Sequence, residues 1–268
     1  MLFRSNTANL NYFGIYLAPS SNNTLTSNTA NSNSYGIYLD SSSSNTLTNN
    51  TANSNSAYGI VISASNNVLI GNNASSNNNG IHLAGSSGSN TLISNTANSN
   101  NYGIRLDSSL NNTLISNTAS SNIWYGIYLY DSDNNTLNSN TANLNSYNGI
   151  WLQFSNYNTL TGNTANLNNN YGISLSHASS GNLIYNNYFN NTNNAYNTGV
   201  NFWNTTKTKE TNIVGGPLIG GNFWSDYNGT DNNGDGIGDT NIPYNSNGNI
   251  QNGGDYFPLV MPVISSRI

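Results

Sequence analysis

"NSYGIYLDSSSSNTLTNNTANSNSAYGIVI" (Asn33–Ile62) states one phrase twice. Tyr35-Gly36-Ile37-Tyr38-Leu39 returns as Tyr58-Gly59-Ile60-Val61-Ile62, with Asn45-Thr46-Leu47 and Asn50-Thr51-Ala52 between them. The glycine that opens each Ile-x-Leu recurs at Gly14, Gly36, Gly59, Gly80, Gly103, Gly126, Gly149 and Gly172, in steps of 21 to 23 residues. A fixed period in the low twenties is the mark of a solenoid. A leucine-rich repeat of similar period needs more leucines and a helical side; here each unit holds three short strand-like pieces separated by Asn, Ser and Gly.

In Gly126-Ile127-Tyr128-Leu129 the Ile and Leu are two apart, so both face one side and Tyr128 faces the other. Three such strands joined by sharp turns make one triangular coil, and stacked coils pair strand on strand in parallel. The fold class is therefore all-β, a parallel β-helix of about eight three-strand coils of 21–23 residues, roughly 40 Å long at about 4.8 Å per coil. Columns from Ile15 to Ile173, Leu17 to Leu175, Leu25 to Leu183 and Ala8 to Ala165 are its expected apolar core. Asparagine is expected at the corners, where it tolerates left-handed geometry, and in ladders bonded from coil to coil. The phrase repeats because one coil cannot bury its own apolar face.

Composition agrees with a folded array. Only 6% of residues are charged, yet aromatics reach 11% and apolar residues keep a schedule, which disordered chains do not. The net charge is −5 and the five cations, Arg4, Arg105, Lys207, Lys209 and Arg267, form no basic cluster, which argues against nucleic acid as a partner. There is no cysteine, hence no disulfide framework, and no apolar stretch long enough for a membrane span or signal peptide.

After Asn182-Leu183 the schedule breaks, dividing the chain into repeats over residues 1–198 and a C-terminal capping module over 199–268. A solenoid end exposes unpaired strand edges and an apolar cross-section, and Phe202, Trp203, Phe223, Trp224, Tyr256 and Phe257 are the expected plug. The sequence opens inside a coil, at Asn6-Thr7-Ala8, which leads us to expect an N-terminal truncation.

The repeat pattern Gly-Ile-x-Leu, Asn-x-Leu, Asn-x-Ala resembles the right-handed parallel β-helix repeats of the NosD-like, carbohydrate-binding and sugar-hydrolase group. The tail, with Gly215-Gly216-Pro217, Gly221-Asn222-Phe223-Trp224-Ser225-Asp226-Tyr227 and Asp235-Gly236-Ile237-Gly238-Asp239-Thr240, is similar to that of NosD-like archaeal cell-surface proteins. The resemblance implies an extracellular or cell-surface location. It also implies copper handling, for which His82, His177, Met1 and Met261 are the only ligand candidates; the two histidines are four coils, about 19 Å, apart, and both are expected to face solvent.

Asp231, Asn233, Asp235, Ile237 and Asp239 match the first half of a calcium loop, with Ile242 where an EF-hand has its Glu; a structural Ca²⁺ or an ordinary polar turn are the alternatives. For catalysis the solenoid offers Arg105, Asp107 and Asp131, with Asp133 beside them, as one outward cluster, which exposed ion pairing also explains. Along the outward face Tyr16, Tyr38, Tyr128 and Trp151, with Tyr102 and Tyr125, suit sugar rings, or simply pack across strands. The reading is a non-catalytic, secreted or surface-attached β-helix that binds polysaccharide or a surface glycan, the alternative being a polysaccharide lyase or hydrolase.

Overall fold

The computed structural model describes residues 1–262; the last six residues of the expected capping module, 263–268, lie outside the described residues. The chain is a parallel β-helix with two nine-stranded parallel sheets, so it completes nine turns rather than eight. One sheet stacks short strands of the Thr24–Thr26 and Thr113–Ile115 kind. A second stacks the Gly-Ile-x-Leu strands, from Phe13–Leu17 to Asn193–Asn197. The third face is a line of single bridges from Thr7 to Thr164 that ends in a three-stranded sheet of Thr164–Asn166, Tyr188–Asn190 and Phe223–Trp224.

The apolar columns form as their two-residue spacing requires. Ile37 through Ile173, Leu39 through Leu175 and Ala30 through Ala165 are fully buried. One column ends differently from expectation. Leu183 pairs with Thr159 on the outer side, and Ile184 continues the column from Leu160, because the ninth coil reads Asn-Leu-Ile where most earlier coils read Asn-Thr-Leu.

Asparagine holds the coils together from inside. Through the regular coils each ladder asparagine directly follows a residue with positive φ, such as Ser27 before Asn28, Ser94 before Asn95 or Leu144 before Asn145; terminal members such as Asn191, Asn201 and Asn222 do not. That left-handed bend turns the amide inward. The corner expectation is corrected here: the left-handed positions are taken more often by serine than by asparagine, while the asparagines lie buried one residue later. In one ladder each Asn donates its backbone N–H and Nδ2 to Oδ1 of the next coil's Asn, as from Asn28 to Asn50 (2.9 Å for both) and from Asn50 to Asn72 (2.9 Å for both).

The schedule runs one coil further than its text suggests, and the tail then supplies a broken further turn. Phe202 bridges to Leu183, Phe223 and Trp224 pair with Tyr188 and Phe189, and Ile250 bridges to Asn197, so all three faces are covered. Trp203 and Trp224 are the plug, each 1% exposed, with Trp224 stacked on Phe189 at 4.8 Å and on Tyr244 at 4.5 Å. Phe202 and Tyr256 are not part of it, at 58% and 49% exposed; their neighbours Trp203 and Asp255 turn inward instead.

The same tail terminates the ladders. The ladder that starts at Asn6 reaches Asn187, then Asn222, whose N–H meets Oδ2 of the fully buried Asp255 at 2.6 Å. Trp224 Nε1 and the Phe257 N–H donate to the same carboxylate. A second ladder ends where Asn194 Nδ2 meets Asp226 Oδ1 at 2.6 Å.

Candidate functional site

The second sheet carries the chemistry that the repeat does not require. Its outward column, Tyr16, Tyr38, Val61, His82, Arg105, Tyr128, Trp151 and Ser174, is in cross-strand register throughout. A regular diagonal links this column to the next strand: Tyr16 Oη donates to Asp40 (2.9 Å), Tyr128 Oη to Gln153 (2.7 Å) and Trp151 Nε1 to Ser176 (2.9 Å). His82 and Asp107 occupy the same diagonal slot, 3.0 Å apart.

Asp107 is also held within its own strand by Arg105, whose Nε and Nη2 lie 2.9 and 2.7 Å from its two oxygens. Burial alone would raise the Asp107 carboxyl, but hydrogen bonds from His82 and Arg105 outweigh it and hold the group below the usual range. Burial alone would lower Arg105, but its hydrogen bond to Asp107 and the attraction of that charge together outweigh burial and raise it. The guanidinium stands over the rings of Tyr102 (5.0 Å) and Tyr128 (5.7 Å), and His82 stacks on Tyr58 at 5.4 Å. Burial pushes the Tyr128 phenol well up and Tyr125 up to about 12, so both stay protonated at neutral pH.

Of the expected catalytic residues, Arg105 and Asp107 come together. Asp131 meets Ser108 at 3.3 Å and Asp133 meets the Asn156 N–H at 2.6 Å, each in the following turn. His82 takes the place they were expected to fill, and the expectation that it faces solvent is corrected, since it is 8% exposed. The signal was its position in the outward column one coil before Arg105.

The aromatic expectation divides in a similar way. Tyr16 is open, at 44% exposed, but Tyr125 and Tyr128 are buried, covered by Trp151, which stacks on Tyr128 at 4.7 Å and packs on Tyr125 at 4.6 Å. The open rings beside them are Trp124 and Tyr147, which sequence reading missed.

In the tail loop Asp231 accepts the N–H groups of Gly234 (2.7 Å) and Gly236 (2.8 Å), Asp239 accepts from Asn232 (2.8 Å), and Asp235 pairs with Lys207 at 3.1 Å. Those backbone donors outweigh burial and lower Asp231. Hard oxygens suited to calcium are present, yet among the described residues no group of three or more His, Cys, Asp or Glu is placed to hold a metal ion. Copper fits less well: His82 is engaged by Asp107, His177 Nδ1 by Ser176 four coils away, and no thiolate exists to join them.

A family described as periplasmic copper-binding protein (NosD) matches residues 1–118 and 71–229. No curated protein matches the sequence. Among solved structures, the A-module of a mannuronan C-5 epimerase from Azotobacter vinelandii is 20% identical with a TM-score of 0.61, over 68% of this chain and 58% of that one. A variant of the periplasmic alginate epimerase is 20% identical with a TM-score of 0.63, over 68% of this chain and 49% of that one. A tailspike protein from a bacteriophage of Escherichia coli O157:H7 is 16% identical with a TM-score of 0.53, over 82% of this chain and 40% of that one. The chain spans about half the length of these structures, and the likeness is one of fold.

The expectation that the chain is not an enzyme is corrected by these findings. It rested on exposed ion pairing as a sufficient account of Arg105, Asp107 and Asp131, and the same fold serves epimerases. Among the described residues no helix is long and apolar enough to cross a membrane.

Proposed function

The chain belongs to the NosD family, whose description is periplasmic, and on that premise we propose that it acts in the periplasm or outside the cell as a carbohydrate-active β-helix on uronate-containing polysaccharide. The polymer runs along the second sheet, across the coils. The observation that carries this reading is the His82–Asp107–Arg105 cluster, set in a strip of aromatic rings on a sheet whose strands carry one other charged side chain, Asp40. Two fold neighbours are a mannuronan C-5 epimerase and an alginate epimerase, which supports the substrate class.

The chemistry follows from the donors. Arg105 spends two of its five N–H groups on Asp107 and keeps the rest for a sugar carboxylate. When His82 donates from Nε2 to the ionised Asp107, Nδ1 is left unprotonated and serves as base. The C5–H bond of the uronate breaks, its proton passes to Nδ1, and the electron pair moves into the carboxylate, where Arg105 stabilises the added charge. Return of a proton to the opposite face of C5 gives the epimer; loss of the 4-oxygen gives an unsaturated product. Tyr102 and Tyr128, whose rings lie 5.0 and 5.7 Å from the guanidinium, are phenols beside the cluster that can return the proton.

Polymannuronate and polygalacturonate are the substrates to test, read by proton exchange at C5 and by absorbance of unsaturated ends. Turnover that falls at least a hundredfold in Arg105→Ala and in His82→Gln is the expected result. Turnover unchanged by either substitution, or none on any uronate polymer, overturns the reading.

A further inference from the structure

One column outside the strip breaks the repeat without any need of the fold. Asn78, Asn101, Trp124, Tyr147 and Asn170 follow one another through backbone hydrogen bonds, each N–H donating to the carbonyl of the residue one coil before. Ser34, Ala57, Asn78, Asn101 and Asn170 close this corner with small side chains, and the first coil carries Tyr12 there, itself 65% exposed. In two adjoining coils it carries Trp124 and Tyr147, both 48% exposed, with Ile123 beside them at 59%. Rings left in water add nothing to the core, and Asn101 and Asn170 show that the corner closes without them.

The three side chains are arranged as a notch. Tyr125 is its floor, and the rings of Trp124 and Tyr147 stand nearly perpendicular to it, at 84° and 82°. Together they enclose about 260 Å³, smaller than a drug-sized pocket and suited to a single ring. Trp124 lies 5.5 Å from Tyr102, over which Arg105 is held at 5.0 Å, so the notch adjoins the cluster directly.

We propose that Ile123, Trp124 and Tyr147 form a sugar-binding subsite that stacks one pyranose of the polymer and positions its neighbour at Arg105 and His82. A pyranose offers an apolar face of C–H groups to an aromatic ring, and the notch is lined by Ile123, Trp124, Tyr125 and Tyr147. The notch itself holds no charged side chain, so it reads ring shape rather than carboxylate. Stacking there supplies binding and register, while the cluster supplies chemistry. This subsite rests on the polysaccharide reading above, but it can fail separately.

The test compares Trp124→Ala, Tyr147→Ala and the conservative Trp124→Phe with Arg105→Ala, on polymannuronate, polygalacturonate and a neutral polymer, dextran. Turnover gives KM and kcat, and retardation in affinity gels loaded with each polymer gives binding without turnover. The expected result is a roughly tenfold rise in KM for both alanine variants with kcat nearly unchanged, a smaller rise for Trp124→Phe, and retardation lost in step. Arg105→Ala should lose kcat and weaken retardation by the two uronate polymers, while retardation by dextran, which carries no carboxylate, is kept. Retardation lost in Trp124→Ala without turnover of any polymer by the unaltered protein supports the subsite and removes the catalytic reading. Unaltered KM and retardation in both alanine variants overturn the subsite, as does an absence of binding to every polymer.

Discussion

Oδ1 of Asn95 accepts both the backbone N–H and the Nδ2 of Asn72, one coil earlier, at 2.9 Å each. Asn95 then donates its own Nδ2 to Asn117 Oδ1 and to the Leu69 carbonyl, again at 2.9 Å. Every polar atom of a side chain that is 1% exposed is thus used. Asn95→Ala removes four buried hydrogen bonds and leaves the Asn72 backbone N–H without its acceptor where water cannot reach, at a cost of about 3 kcal/mol or more. Leu92→Ala, in the neighbouring apolar column, should cost about 2–5 kcal/mol. Urea titration should therefore find the two variants comparably destabilised; a nearly neutral Asn95→Ala would mean that the ladder is not structural.

The marker glycines owe their identity to the coil above and the ladder behind. A Cβ on Gly103 would lie 2.5 Å from the Gly126 carbonyl oxygen, 2.7 Å from Asn122 Nδ2 and 2.9 Å from the Ala119 Cβ. Gly85, by contrast, has φ +60° and nothing within 4 Å. Gly103→Ala should cost about 1–3 kcal/mol or more through crowding, and Gly85→Ala about 1 kcal/mol through its backbone alone. Thermal unfolding that ranks them the other way would show that the coils can spread.

Asp255 gives the cap a pH dependence. Burial pushes its carboxyl up to about 7, against the donors of Asn222, Trp224 and Phe257, which pull it down. A group whose pKa is higher folded than unfolded stabilises the fold below its unfolded value, near 3.9, and loses that contribution as pH rises through about 7. Protease resistance of the tail should accordingly be greater at pH 5 than at pH 8, in a window where the surface carboxylates are already ionised. Equal resistance at both values would show that the donors match the burial.

Calcium at Asp231, Asn233, Asp235, Ile237 and Asp239 is a proposal with a defined competitor, because Lys207 already holds Asp235 at 3.1 Å. An ion at this loop has to displace the ammonium. Lys207→Ala should therefore bind calcium severalfold more tightly than the unaltered protein by titration calorimetry. No heat in either protein would leave the loop closed by its own N–H donors.

What the sequence made legible is what has a period. Columns such as Ile37 to Ile173 can be drawn from spacing alone, because a two-residue alternation fixes which face each side chain takes. Asparagine misled because the bend and the amide it turns inward are adjacent residues, as at Asn49 and Asn50, and their composition does not say which is which. His82 and Asp107 lie 25 residues apart, and their pairing follows from a diagonal between coils that only the stacked register reveals. Trp124 and Tyr147 were hidden differently: they fall outside the quoted phrase, in the polar spacer, where a search for repetition does not look.

The asparagine ladders have one further property. Since every amide donates toward the following coil, from Asn6 onward to Asn222, their dipoles add along the axis instead of cancelling. The rod is therefore electrically directional, much as an α-helix is, with its positive pole at the C-terminal cap and its negative pole at the first coil. Asp255 and Asp226 stand at that positive pole as acceptors, receiving the last N–H of two ladders. A cap built of apolar residues alone would cover the core but leave those N–H groups without partners, so the tail's two acid side chains end the ladders as its tryptophans close the core.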